Sequence, residues 1–93
     1  MRFAYTIAEA FQIKDRGLVL ISGPHCEPQA KLLIGCEIEI RQLDGKIIRT
    51  TVRGIEMASP NPHRYFAIMV PAEISKEDVP PGAEVWSNEE SHV

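Results

Sequence analysis

Cysteine, histidine and clustered basic residues have the widest chemical reach in this sequence, and their spacing decides how much of it is usable. Cys26 directly follows His25, Cys36 comes later, and His63 and His92 stand apart. A metal held from one element needs ligands at a spacing such as C-x-x-C or H-x-x-x-H, and neither occurs. A metal site would have to be assembled by the fold, and none is expected. A Cys nucleophile with a His base meets a similar obstacle, because adjacent side chains on an extended chain point to opposite faces. Arg41, Lys46, Arg49 and Arg53 form a basic surface that could touch phosphates. Glu37 and Glu39, across the same predicted hairpin, would turn that strip into a solvated set of ion pairs. No G-x-x-x-x-G-K-[ST] loop is present, so neither a nucleotide site nor a cofactor is expected.

Charge narrows the classes further. The 93 residues carry a net charge of -3, which argues against the dense cationic surface that nonspecific nucleic-acid binding requires. The imbalance is local. From Glu73 onward six acids face one base, Lys76, while the preceding chain holds nine bases and seven acids. No apolar run approaches the roughly 20 residues that span a bilayer, and the start lacks the apolar segment of a signal peptide. A cytoplasmic protein with no membrane partner is expected, and there Cys26 and Cys36 would remain thiols although they could in principle pair. The length suits one domain over residues 1–93, with a mobile tail at 88–93.

The elements that must position these residues read as strands. Tyr5, Ile7, Phe11 and Ile13 alternate with polar or small residues, the period of a half-buried strand; Glu9 is the exception. After Lys14-Asp15-Arg16-Gly17, the run Leu18–Ile21 is a second strand ended by Ser22-Gly23-Pro24. Leu32-Leu33-Ile34 is expected to fold back onto the core. Cys36, Ile38 and Ile40 then alternate with Glu37, Glu39 and Arg41, and Ile48, Thr50 and Val52 with Arg49, Thr51 and Arg53, so each strand has one buried and one wet face.

Register follows from the turn between them. A two-residue loop of Asp44-Gly45 would set Ile40 against Arg49, whereas a three-residue loop, Leu43-Asp44-Gly45, sets Ile40 against Ile48 and Glu39 against Arg49. Only the second keeps both faces consistent, and it requires Gly45 at positive φ. Pro60-Asn61-Pro62 marks a loop, Tyr65–Val70 a buried strand, and Ala83–Trp86 the last strand. Between these two strands Ser75 is a candidate N-cap for a short helical turn, with Asp78 completing a capping box. Six short strands separated by Gly and Pro signals predict an all-β fold, a small antiparallel closed barrel.

The segments Ile7–Ile13, Arg16–Val19, Gly35-Cys36-Glu37-Ile38-Glu39-Ile40, Val52–Met57 and Val79–Val85 occur in a familiar order and spacing. Together they make the chain, over roughly residues 5–87, resemble the second, barrel-forming domain of elongation factor Tu and related translational GTPases. That resemblance implies a translation-factor-like barrel without its GTPase neighbour. It also implies a ligand site for the acceptor end of aminoacyl-tRNA at Phe11, Arg16 and Glu56. Read from the residues alone, Phe11 is barrel wall, Arg16-Gly17 a turn and Glu56 a solvated carboxylate. The expected function is a non-enzymatic binding module engaging a protein partner. The alternatives are RNA or tRNA acceptor-end recognition and, third, a small metal or enzyme site on the loops.

Overall fold

The computed structural model describes residues 1–57 and 65–88. Seven strands form one sheet: β1 (Arg2–Ile13), β2 (Gly17–Ser22), β3 (Glu37–Arg41), β4 (Ile47–Thr51), β5 (Gly54–Met57), β6 (Phe66–Val70) and β7 (Glu84–Ser87). Their order is β4-β3-β7-β1-β2-β6-β5, and every pairing is antiparallel. All-β architecture is as expected; the six-stranded closed barrel is corrected to a seven-stranded sheet whose ladder ends at β4 and β5. The extra strand arises because the run expected to be one strand changes partner partway. The backbone of Val52 bonds back to Gly35 and Cys36 on the β3 side, while the next residue, Arg53, donates its N–H to Met69 O at 2.7 Å on the β6 side.

A second change of partner occurs in β1. Its first half pairs with β7 and its second half with β2, with register shifts between Phe3 and Tyr5 and between Ile7 and Glu9. A bulge inserts one residue and reverses the inside–outside alternation beyond it. Tyr5 and Ile7 are therefore inside, Ala10 follows them in, and Phe11 and Ile13, expected on the buried face, are 45% and 36% exposed. Glu9, the residue that broke the alternation, stands at the shift.

The β3–β4 hairpin has the expected register, with Glu39 opposite Arg49 and Ile40 opposite Ile48. Gln42 donates its N–H to Lys46 O, closing the three-residue loop, and Gly45 has φ +93°. Ile38, Ile40, Leu18, Leu20, Ile68 and Val85 fill the core at 1% exposure or less, each fully buried aliphatic side chain contributing about 1.5–3 kcal/mol. Tyr5 crosses this core, packs edge-on against Phe66 and donates its hydroxyl to Leu20 O at 2.7 Å. Burial pushes its phenol well above the ordinary tyrosine range.

Of Leu32-Leu33-Ile34, only Leu32 reaches the core; Leu33 and Ile34 are exposed. Ser75 caps the 3₁₀ turn Lys76–Asp78, and Asp78 completes the capping box. The Ser75 hydroxyl also donates to the Glu77 carboxylate and holds its pKa below the ordinary value. Asn88 donates its N–H to Glu37 O, prolonging the β3–β7 ladder by one bond. The Pro60-Asn61-Pro62 loop, His63, His92 and the remainder of the expected tail lie outside the described residues.

Candidate binding groove

The outer side of β1, β2, β6 and β5 carries two rows of side chains set by strand register. One row runs Glu9, Ile21, Ala67, Glu56; the other runs Phe11, Val19, Met69, Gly54. The bulge in β1 puts Phe11 on this side. Alternation in β2 turns Leu18 and Leu20 inward and leaves Val19 and Ile21 outward, as expected of an aliphatic strand covered on both faces. Small Ala67 between Ile21 and Glu56 lowers the floor. The result is a surface groove of about 380 Å³ lined by Phe11, Val19, Ile21, Ala67 and Tyr65, with Glu9 and Glu56 as its carboxylates.

Neither Glu9 nor Glu56 has an ion-pair partner among the described residues, and no basic residue is among those lining the groove. The lining thus presents apolar surface beside two carboxylates that no cation among the described residues compensates. Such a site suits a ligand with an apolar body and a cationic or hydrogen-bond-donating end.

Of the three residues singled out by resemblance, Phe11 and Glu56 meet here and Arg16 does not. Arg16 is exposed in the β1–β2 turn, its N–H bonded to Ile13 O at 3.1 Å. The neighbouring Gly17 is required by the sheet: it has φ +154°, and a Cβ there would lie 2.3 Å from Val70 O. Gly17 therefore has a sufficient cause in the close approach of β6, and Arg16 is an exposed turn residue beside it.

The basic strip is largely compensated. Arg41 donates Nε and Nη2 to Glu39 Oε1 at 3.1 and 3.0 Å and lies 3.9 Å over the Trp86 ring. Arg49 reaches the other oxygen of Glu39 at 3.4 Å, and Lys46 pairs with Asp44 at 3.8 Å. Arg53 is the only one of the four without an ion pair among the described residues. Glu39, expected on a wet face, is only 7% exposed. The cover comes from Trp86, its cross-strand neighbour, and from the two guanidinium groups. Both cysteines are free; Cys26 is half-buried against the core and Cys36 is buried, its Sγ 4.0 Å from Ser87 Oγ. Among the described residues no three His, Cys, Asp or Glu side chains converge as a metal site, and no helix is long and apolar enough to cross a membrane.

The resemblance pointed to Phe11 and Glu56, and reading along the chain missed Glu9, Val19, Ile21 and Ala67. Their signals were present: Glu9 breaks the alternation of β1, and β2 is aliphatic at every position where a one-sided strand would alternate. Comparison with known proteins adds no name to the site, since no family model, curated protein or solved structure matches this chain.

Proposed function

We propose that this protein is a non-enzymatic, cytoplasmic binding module that takes an apolar side chain of a protein partner into the groove, with a neighbouring basic residue of that partner facing Glu9 and Glu56. The observation that carries the reading is the pairing of an apolar lining with two carboxylates that have no ion-pair partner among the described residues. Phosphate oxygens would be repelled there, whereas lysine or arginine of a partner would be attracted. Two free cysteines suit a reducing compartment. We further read the sheet as an open variant of a translation-factor-like barrel, its two terminal strands, β4 and β5, consecutive in sequence but not paired with each other among the described residues.

One observation favours the alternative, a tRNA acceptor end. Phe11 could stack on a terminal base, and the Glu56 carboxylate could accept from a ribose hydroxyl or a base amine, both within the groove. Stacking on one aromatic is worth about 1–3 kcal/mol, against the roughly 8 kcal/mol that micromolar affinity requires. Arg16, the third residue the resemblance implies for such a site, is not among those lining the groove. Fluorescence anisotropy with charged and uncharged tRNA at physiological salt is expected to show no binding tighter than about 100 micromolar. Tight tRNA binding that is lost in Glu56→Ala would replace the protein-partner reading with the acceptor-end one.

A further inference from the structure

The groove ends at a sheet edge. β5 is the terminal strand on this side, and among the described residues its second edge makes no backbone hydrogen bond. Unpaired edges accept further strands unless something blocks them. Gly54 lies on that strand, on the row of Phe11, Val19 and Met69. It has no positive φ, and a Cβ there would meet only the Met69 Cβ, at an ordinary 3.7 Å. Neither a positive φ nor packing among the described residues calls for glycine at this position. A strand glycine serves a bulge, a bend such as the change of partner just before it at Val52-Arg53, or the close approach of another chain; here it leaves the outer surface at the edge open to that approach.

We propose that the free edge of β5 receives an extended segment of a protein partner as an added antiparallel strand, with a basic residue opposite Glu56 and an aromatic residue opposite Gly54. The inference rests on the protein-binding reading of this face and extends it. Antiparallel addition continues the register across the sheet, so the rows become Glu9-Ile21-Ala67-Glu56-basic and Phe11-Val19-Met69-Gly54-aromatic. The missing Cβ lets the aromatic ring lean over Gly54 onto Met69, and the cation supplies a partner that Glu56 lacks among the described residues. The required pattern is Lys-x-aromatic, two positions apart on one face. A second copy of this chain is the weaker occupant, because pairing β5 with itself offers Glu56 no cation: centred on Ile55 it sets Glu56 opposite Gly54 of the other copy, and centred on Glu56 it sets like carboxylates together. The other terminal strand, β4, is not equivalent, since its outward Arg49 is already paired with Glu39.

The probe is a short capped peptide, Ser-Thr-Thr-Lys-Thr-Trp-Thr-Ser, titrated into isotope-labelled protein. Three peptides accompany it: one with Lys and Trp adjacent, one with Glu in place of Lys, and one N-methylated at alternate residues. The expected result is a set of amide shifts in both the groove and β5, with slowed exchange of the β5 amides that face away from β6. Adjacent placement or N-methylation should abolish that slowing. Glu56→Lys should weaken the lysine peptide about tenfold and favour the glutamate peptide instead. Shifts confined to Phe11, Ile21 and Ala67, with N-methylated and plain peptides equal, would retire strand addition and leave the groove reading standing. No shift anywhere on this face at millimolar peptide would retire both, leaving Glu56 as a charge that merely blocks the edge.

Discussion

The two outer faces of the sheet use similar residues to opposite ends. On the β4-β3-β7-β1 side, the register row is Arg49, Glu39, Trp86, Phe3. There Trp86 meets Phe3 edge-on, carries Arg41 on its face and donates its indole N–H to Glu84 at 3.0 Å, while Glu39 is held by two arginines. On the β1-β2-β6-β5 side, the row Glu9, Ile21, Ala67, Glu56 has a carboxylate at each end and a cation at neither. The first face satisfies its aromatic and its charge internally. The second leaves both Phe11 and Glu56 exposed, which is a poor way to stabilise a fold and a serviceable way to hold something else.

Aromatic truncation should separate the faces most. Trp86→Ala removes the ring under Arg41 and beside Phe3 and is expected to cost about 2–3 kcal/mol in denaturant unfolding. Phe11→Ala should stay below about 1 kcal/mol while abolishing peptide binding in the groove. Equal losses would mean that the second face is also structural. Charge removal should give a smaller contrast. Glu39→Gln leaves two guanidinium groups without their anion and should cost about 1–2 kcal/mol, whereas Glu56→Gln should fall within about 0.5 kcal/mol of the parent. A Glu56→Gln change as large as that at Glu39 would reveal an internal role for Glu56. The smallest effect, of opposite sign, is expected at Gly54: Gly54→Ala should stabilise the strand by about 0.5 kcal/mol while weakening the tryptophan peptide. A loss of stability there would mean that Gly54 serves the fold.

How much of this could be read from the chain depended on whether its cause was local. The β3–β4 register was readable because the alternation on both strands and the glycine at the turn all bear on one three-residue loop. The Ser75 cap was readable for the same reason. Phe11 was assigned to the wrong face because a bulge is defined against a partner strand, and only Glu9 hinted at the slip. Glu39 looked solvent-exposed because its cover, Trp86, arrives on a strand near the other end of the chain. The number of strands was misjudged at Val52-Arg53, where an unbroken apolar–polar pattern hides a change of neighbour. The groove depends on four strands at once, and no segment carries its outline.

The long first strand has a consequence for how the molecule comes into being. β1 borders β2 through one half and β7 through the other, so its early half has no neighbour on the β7 side until the last strand has been made. Pairings between the two ends of a chain close slowly, and a strand left waiting can be captured by another molecule in the meantime. During synthesis Arg2–Thr6 should therefore remain open until Glu84–Ser87 clears the ribosome. Any slowing of synthesis between β6 and the emergence of Glu84–Ser87 should then appear as aggregation of nascent chains, with the stability of the folded domain unchanged.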